Sequence, residues 1–394
     1  MNTQERSPKS PWLIAVPTAI LVLLGVVWSG FWYWSTTAAE ATITAWRARE
    51  AEAGRVYGCA TTNFGGYPFR IEVDCAEPSV EDRASALSVR ARNLAAVAQL
   101  WDPTLVIGEI AGPLMVAPLG GSPTATLDWA LAQASLRGMP GTPERLSIVV
   151  DKPNLAAVPP SKPLATAEHL EFHARFAAES GPGHQVLDLA LDMRSATAPT
   201  LVAALGSFGP LASAATDLSF VAVLHGVSDL TPKPLAQKLR EIQAANGRLD
   251  VTNARLQQGD LIATATGALG LTAGGTLTGE LQLTVVNIGK LIPLLGIDRA
   301  VAQAVPQETL TRFAPTLDRL MPGLGNVLRS RKVGDNAPGN GANPDVNTAA
   351  VGTAVLGGRQ TELEGQRAVT LTLRFDDGVA SLGPFKLGQI PPLY

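Results

Sequence analysis

One uninterrupted apolar stretch near the N-terminus limits what this chain can fold into. Residues 12–34 read WLIAVPTAILVLLGVVWSGFWYW and contain no charged side chain. A helix of that length rises about 1.5 Å per residue and crosses a hydrocarbon layer roughly 30 Å thick. Aromatic residues mark both of its ends, where their part-polar rings favour the lipid–water interface. The stretch therefore predicts a single transmembrane helix.

Charge around this stretch predicts its orientation. The preceding tail, residues 1–11, carries Arg6 and Lys9 against Glu5, and positive residues favour the cytoplasmic side. We expect a cytoplasmic N-terminus and export of the rest, because long downstream domains cross largely regardless of charge. The alternative is a signal peptide cleaved at Thr37-Ala38-Ala39. Signal sequences are usually shorter and lack a bulky aromatic end, which favours a retained anchor.

The two cysteines suit an exported domain. Cys59 and Cys75 bracket two short segments joined by a Gly-Gly-Tyr-Pro turn, so a hairpin can bring their sulfur atoms together. Isolated cysteine pairs in exported domains are more often bridged than reactive. The sequence predicts a disulfide, and two buried free thiols are the alternative. No CxxC or His-rich set accompanies them that would indicate a metal site.

The composition favours a β-rich domain. Of the 394 residues, 46% are hydrophobic and 16% are charged, with 38 Gly and 29 Pro. So many glycine and proline residues suit a fold of many short strands and turns better than one of long helices. The net charge of −3 comes without a polybasic block, which makes nucleic acid an unsuitable partner.

Alternation of apolar and polar residues predicts strands along most of residues 55–394. The clearest runs are residues 170–176, 187–193, a meander over 247–287, and a last pair at 369–375 and 379–387. Alternation with a period of two is typical of strands with one buried face. Strands follow strands, which argues against a doubly wound parallel sheet. We expect a mainly β exported domain with an antiparallel sheet and interspersed helices.

Helices are predicted where the period becomes helical. Residues 38–54 predict a juxtamembrane helix that continues the anchor, because they are rich in Ala, Glu and Arg and end at a glycine. Residues 234–245 and 307–320 predict amphipathic helices, and 288–295 a shorter one. Residues 329–347 are polar and rich in Gly, Pro and Asn, which predicts a mobile loop.

The search for catalytic motifs is negative. The chain has no GxSxG, GxxxxGK[ST] or HExxH motif and no GxGxxG in the required context. We therefore predict no enzymatic activity and no cofactor.

One histidine-rich segment could be either a metal site or a solvated strand face. On a strand, His169, Glu171 and His173 share one face, and three alternating ligands could hold a divalent metal. A solvated outer face produces the same pattern, and this interpretation is favoured because no fourth ligand is visible. His184 and His225 are interpreted as surface or hydrogen-bonded residues.

Two acidic pairs complete the set of ionisable candidates. Glu81-Asp82 and Asp376-Asp377 lie in turn-like contexts. Turns commonly use aspartate for local hydrogen bonds, so acid–base roles are not favoured.

These residues carry a resemblance to a known family. The segments GRVYGC at residues 54–59 and GYPFRI at 66–71, followed by Cys75, resemble the domain-of-unknown-function 2125 family of bacterial membrane-anchored proteins. LGPFKLG at 382–388 and IPPL at 390–393 resemble that family's C-terminus. The resemblance implies a bacterial inner-membrane anchor and a periplasmic domain, and it implies no established activity.

A fainter likeness concerns the pattern of the 247–287 meander. Its alternating Leu and Thr residues and Gly-rich turns are similar to those of AsmA-like envelope proteins. That likeness implies an extended curved sheet and a role in lipid traffic or envelope homeostasis.

The segment Gly66-Tyr67-Pro68-Phe69-Arg70 allows two interpretations. Tyr67, Phe69 and Arg70 could recognise a lipid head group or a partner. The favoured interpretation is structural: Gly65 and Gly66 permit positive φ, Pro68 sets the turn, and Phe69 and Ile71 pack under the hairpin.

The leading functional hypothesis is a non-enzymatic protein that binds lipid or serves envelope homeostasis. Its basis is the one-faced strands, which need an apolar cover, either the protein's own helices or acyl chains. The alternative is a structural scaffold that pairs with an envelope protein through a sheet edge.

Overall fold

The computed structural model describes residues 12–139, 141–158, 162–178, 185–198, 214–227, 233–288, 358–383 and 385–394. It confirms a mainly β fold with antiparallel sheets, a long N-terminal apolar helix and one further described helix. The chain divides into two compact units: the first holds residues 1–123 and 133–142, the second 124–132 and 143–394. Residues 55–394, expected as one exported domain, are thus shared between the two units.

The described strands are numbered in chain order. They are β1 (Arg55–Gly58), β2 (Thr61–Gly65), β3 (Arg70–Ala76), β4 (Ser79–Asp82), β5 (Leu87–Arg90), β6 (Asn93–Gln99), β7 (Asp102–Ala111), β8 (Leu114–Pro118), β9 (Ala125–Asp128), β10 (Leu131–Arg137), β11 (Arg145–Asp151), β12 (Asn154–Ala157), β13 (Lys162–Thr166), β14 (His169–Ala178), β15 (Gln185–Ala196), β16 (Thr216–Val227), β17 (Arg248–Gln258), β18 (Leu261–Leu271), β19 (Leu277–Val286), β20 (Arg359–Leu363), β21 (Gln366–Asp376), β22 (Val379–Leu382) and β23 (Phe385–Gln389).

The first unit begins with one long helix, α1, which covers Trp12–Glu52. The predicted anchor and the predicted juxtamembrane helix are parts of this single helix. The threonines between them do not interrupt it, and the hydroxyls of Thr36 and Thr37 donate hydrogen bonds to carbonyl oxygens one turn earlier. The helix ends before Gly54, whose φ of 88° is the left-handed conformation common after helix C-termini. By length and composition, α1 is the one helix in the described part of the chain that could cross a membrane.

The strands of the first unit form two antiparallel ladders. One has the order β2–β3–β6–β7–β10 and the other β1–β4–β5–β8. In the larger ladder β2 and β3 form one hairpin and β6 and β7 another, and β3 pairs antiparallel with β6, with Arg70 opposite Gln99. The β2–β3 turn and the β6–β7 turn therefore come out at the same end.

The second unit contains a short ladder, β9–β12–β13, and a main ladder in the order β11–β14–β15–β16–β17–β18–β19–β21–β22–β23. Strand β20 also pairs with β21. The predicted meander over 247–287 is confirmed as β17, β18 and β19, and the predicted strands at 170–176, 187–193 and 369–375 are confirmed too. The strand predicted over 379–387 is instead two paired strands, β22 and β23, because the chain turns after β22 at Gly383, whose φ is 56°.

Helix α2 (Leu235–Ala244) confirms the helix predicted over 234–245, with Pro234 at its N-cap. The predicted helix at 307–320, the loop at 329–347, His184 and, beyond Ile288, the helix at 288–295 lie outside the described residues.

Strand register places the alternating apolar residues on one face of the main ladder. Because side chains alternate between faces, residues paired across neighbouring strands share a face. One apolar row runs from β11 to β17 through Ile148, Phe172, Leu191, Phe220 and Ala254. The adjoining row on the opposite face is polar over most of its length and contains Glu171, Asp192, Ser219, Arg255 and Thr264. The predicted one-faced character of these strands is confirmed.

Burial is uneven along this apolar face. A fully buried core lies at β18–β22, where Leu261, Val285, Val369, Leu371 and Leu382 are at most 2% exposed. Over β14–β16 the Leu and Phe side chains of the same face are half-buried, whereas Ala174, Ala222 and Val251 on this face are buried. The second unit is therefore tightly packed toward its C-terminal strands and less tightly packed in the middle of the ladder.

Candidate functional site

The turn between β2 and β3 docks directly against α1. Three hydrogen bonds join the turn to α1: Trp28 Nε1 donates to the Pro68 carbonyl oxygen at 2.8 Å, Trp32 Nε1 donates to the Arg70 carbonyl oxygen at 2.8 Å, and the hydroxyls of Ser29 and Tyr67 lie 2.9 Å apart. We call this contact, residues 28–32 with 66–70, the anchor junction. Two of these hydrogen bonds are accepted by backbone carbonyl oxygens. The backbone shape of the turn, and not only its side chains, therefore determines how the turn contacts α1.

That shape depends on a glycine. Gly66 has φ of 94°, and a side chain there would collide with the Arg70 carbonyl, which closes the turn. The Arg70 amide donates a hydrogen bond of 3.0 Å to the Gly66 carbonyl oxygen, and the Tyr67–Pro68 peptide bond is cis. Gly65 ends strand β2 without a positive φ, so only one of the two glycines has the conformation that the sequence suggested.

Aromatic rings surround the anchor junction. The ring centroids of Trp32 and Tyr67 lie 5.4 Å apart, edge to face, and Phe69 lies 6.2 Å from Trp28 and 6.4 Å from Trp101. Phe69 does not pack under the hairpin as expected, because its side chain points outward and is 58% exposed. Trp101, in the β6–β7 turn, joins the same end of the ladder: the Leu100 amide bonds the Phe69 carbonyl oxygen at 3.0 Å.

Helix α1 changes character at Trp28. Every side chain from Ala15 to Val27 is exposed. From Trp28 onward the less exposed positions recur every three or four residues and form one stripe that includes Trp32, Thr36, Ala39, Ile43, Arg47 and Glu50. That spacing is typical of a helix that packs on one face. The part of the apolar helix in which every position is exposed therefore ends where the anchor junction begins.

A second contact zone lies at the far end of this stripe. Cys59 and Cys75 form the predicted disulfide, with Cα atoms 5.4 Å apart, and Arg47 Nη2 lies 3.1 Å from the Cys59 sulfur. The Trp46 and Tyr57 rings are 4.6 Å apart, and burial raises the pKa of the Tyr57 hydroxyl. The disulfide therefore lies under the C-terminal part of α1.

A short salt bridge closes the same zone. Glu50 pairs with Arg55 at 2.6 Å, across the residues where α1 turns into β1, and both side chains are largely buried. The hydrogen bond from Arg55 to the Glu50 carboxylate raises the pKa of the guanidinium.

The histidine face of β14 forms a polar network. His169, Glu171 and His173 share one face as predicted, with His169 Nε2 3.4 Å and His173 Nε2 3.7 Å from Glu171. Sequence spacing missed Asp151, which reaches His169 Nδ1 at 2.7 Å from the paired strand β11. This hydrogen bond raises the pKa of His169. The described residues hold no cluster of three or more His, Cys, Asp or Glu side chains arranged to bind a metal ion.

The remaining ionisable candidates have structural partners. His225 lies 2.9 Å from Asp250. Asp377 occupies the predicted turn and accepts a hydrogen bond of 2.6 Å from the Thr276 hydroxyl. Glu81 and Asp82 are the last two residues of strand β4, and Asp82 leads into the β4–β5 turn as expected. Its carboxylate accepts hydrogen bonds from the Ala84 amide at 3.0 Å and the Ser85 hydroxyl at 2.7 Å.

Sequence reasoning found the hairpin but missed its partners on α1 and at Trp101. The clue in the sequence was the excess of aromatic residues at the outer end of the apolar stretch. The preference of aromatic rings for the lipid–water interface already accounted for that excess, so no contact with the hairpin was predicted.

The comparison with protein families matches residues 32–391 to the family described as "uncharacterized protein conserved in bacteria (DUF2125)". The chain belongs to the DUF2125 family. The matched range begins at Trp32, inside the anchor junction, and includes the turn, both cysteines and the strands of both units. A search of the curated proteins finds no match to this chain. The family description names no activity, and the likeness to AsmA-like proteins stays a prediction.

Proposed function

We propose that this chain is a single-pass protein of the bacterial inner membrane, with a cytoplasmic N-terminus, periplasmic β units and a non-enzymatic role in lipid binding. Two features support the location. The side chains of α1 from Ala15 to Val27 are exposed and apolar over most of their length, as a lipid-facing segment requires. The Cys59–Cys75 disulfide suits an oxidising compartment.

The observation that carries lipid binding is the apolar face of the main ladder in the second unit. Across β11–β17, five adjacent strands contribute side chains to this face, a band about 19 Å long at the usual strand spacing. Phe172, Leu191 and Phe220 lie in one of its rows and are only half-buried. A sheet with one apolar face needs an apolar partner on that face.

Helix α2, the described helix of this unit, is not buried against the apolar face of the main ladder. Helix α2 contacts β16, yet none of its own residues is buried. The fully buried core lies farther along the ladder, at β18–β22. Aliphatic chains match the Leu, Phe, Met and Ala side chains of β14–β17, and lipid acyl chains are the aliphatic ligands that a membrane supplies.

Photocrosslinking in intact cells tests this proposal with a matched control. A benzophenone amino acid at Phe220 reports on the apolar face, and the same probe at Val221, 41% exposed, reports on the opposite face of β16. We expect phospholipid or fatty-acid adducts at position 220 and not at 221. Absence of lipid adducts at 220, together with a lipid-free full-length protein in native mass spectrometry, would contradict lipid binding.

The scaffold alternative rests on the edge of the main ladder. Strand β23 is the last in that ladder, and Lys386 and Gly388 are exposed on it. Free strand edges can pair with a partner strand. The same photocrosslinker at Lys386 should trap one dominant envelope protein if the scaffold role is correct, whereas a lipid-binding protein needs no such partner.

A further inference from the structure

Three exposed aromatic side chains lie together at one end of the first unit's larger ladder. They are Tyr67 and Phe69 in the β2–β3 turn and Trp101 in the β6–β7 turn, exposed by 58%, 58% and 64%. The Phe69 and Trp101 rings are 6.4 Å apart. We call these three residues the aromatic tip. Large rings left this exposed at a single end of a ladder mark a contact surface and not part of a core.

The anchor junction sets the position of the aromatic tip along α1. A hydrocarbon crossing takes about 20 helical residues, so counted from Trp12 it ends near Phe31. Trp28 and Trp32 lie at that level and hydrogen-bond the two ends of the β2–β3 turn at 2.8 Å. The aromatic tip is therefore held beside the point where α1 leaves the hydrocarbon.

The opposite end of the same ladder has a different chemistry. Strand β3 runs from Arg70 to Ala76, so its far end lies about 20 Å from the tip. Glu77 and Arg92 are exposed there, and the Glu77 amide bonds the Arg92 carbonyl oxygen at 3.0 Å. The three exposed rings therefore lie at the end beside the apolar helix, and the exposed Glu77 and Arg92 lie at the end away from it.

Charges near the aromatic tip are balanced. Arg70 pairs with Glu72 at 3.0 Å, and Arg137 pairs with Asp102 at 3.1 Å. The tip therefore offers no excess positive charge for anionic lipids. Aromatic rings with one polar edge favour the lipid–water interface through burial and hydrogen bonding, which does not require charged lipid.

We propose that the aromatic tip inserts into the interfacial region of the bilayer leaflet from which α1 emerges, as a second membrane contact of the first unit. This inference rests on the proposed membrane anchor and not on lipid binding by the second unit. The two contacts together hold the hairpin at a fixed depth, because the tip is hydrogen-bonded to the helix that crosses the same leaflet.

Depth-dependent fluorescence quenching of the full-length protein in phosphatidylcholine vesicles tests the proposal. The fluorescent amino acid acridonylalanine is incorporated at Trp101, at Arg92 as the control at the opposite end, or at Leu23 as the control within α1. Formation of the Cys59–Cys75 disulfide, seen on a non-reducing gel, verifies folding of each labelled protein. Lipids with a nitroxide near the head group, or deep in the acyl chain, serve as quenchers.

We expect the head-group quencher to reduce emission at position 101 several-fold more than at 92, and the deep quencher to act on position 23. Adding anionic phosphatidylglycerol should leave the result at 101 unchanged. Equal quenching at 101 and 92, with position 23 quenched, overturns the aromatic tip and leaves the anchor intact. If position 23 is not quenched either, both the anchor and the inference that rests on it are wrong.

Discussion

The indole nitrogen of Trp28 donates a hydrogen bond of 2.8 Å to the carbonyl oxygen of Pro68, 40 residues later in the chain. A residue at the end of the exposed apolar segment is thus a structural part of the first β unit. The apolar segment and the β2–β3 hairpin are joined by specific contacts. Helix α1 then continues without a break to Arg47, which contacts the Cys59–Cys75 disulfide.

The tryptophan donors can be tested by removing only their N–H groups. Trp28→Phe keeps an aromatic ring but leaves the Pro68 carbonyl oxygen without this donor. We expect the free energy of unfolding to fall by about 1 kcal/mol and the amides of the 66–70 turn to exchange hydrogen faster. Trp34→Phe, at a site that is 64% exposed, is the control and should change neither. Unaltered exchange in Trp28→Phe would show that the bond does not hold the turn.

The disulfide should contribute strongly to stability. Cys59 and Cys75 are 16 positions apart, and closing a loop of that length is worth about 3 kcal/mol. We expect the Cys59→Ala/Cys75→Ala double variant to lose that amount in denaturant unfolding of the full-length protein. A reducing agent should destabilise the wild type to the same extent and leave the double variant unaffected; a reductant effect on the variant would contradict this assignment.

Alanine substitution should destabilise the protein at one glycine of β18 and not at another. Gly267 has φ of 148°, and a side chain there would collide with the Glu280 carbonyl of β19. We expect Gly267→Ala to cost about 2 kcal/mol or more. At Gly270, where an added Cβ would meet only Thr278 at 3.6 Å, alanine should be neutral or stabilise by about 0.5 kcal/mol. Thermal unfolding of both variants measures the difference, and similar melting temperatures would contradict it.

Protonation of His169 should stabilise the second unit at low pH. Asp151 raises the pKa of His169 in the folded state, so the folded protein binds this proton more tightly than the unfolded chain. The stabilisation is complete below the unfolded pKa, about 6.5, and is lost as pH rises through the higher folded value.

We expect His169→Gln to remove this pH dependence, as measured by unfolding from pH 5 to 9. Asp151→Asn should lower the pKa of His169 in NMR titration, because it removes the carboxylate partner. A His169 pKa that does not fall in Asp151→Asn would contradict the assigned cause.

Local features of the fold could be predicted because they follow from short-range geometry. Alternating residues such as Leu187, Leu189 and Leu191 reveal a strand with one apolar face whatever its partners are. The β2–β3 hairpin, its disulfide and the helix after Pro234 likewise follow from adjacent residues. The direction in which Phe69 points could not be predicted, because it depends on α1 occupying the space beside the turn.

The candidate site shows the same division. The turn at Gly66–Arg70 was visible in the sequence, but Trp28, Ser29, Trp32 and Trp101 were not recognisable as its partners. Asp151 was missed beside His169 because cross-strand neighbours are set by register between β11 and β14, which residue spacing along one strand does not contain.

By itself the sequence determined an apolar helix, the strand periodicity, the disulfide-linked hairpin and the family, because each depends on the order of residues within a short span or on the pattern of the whole chain. Only the tertiary structure decided that Trp28 and Trp32 of α1 hold the hairpin turn and that the strands divide between two units. The physical reason is that these outcomes depend on contacts between distant residues, whose free energies local propensity does not contain.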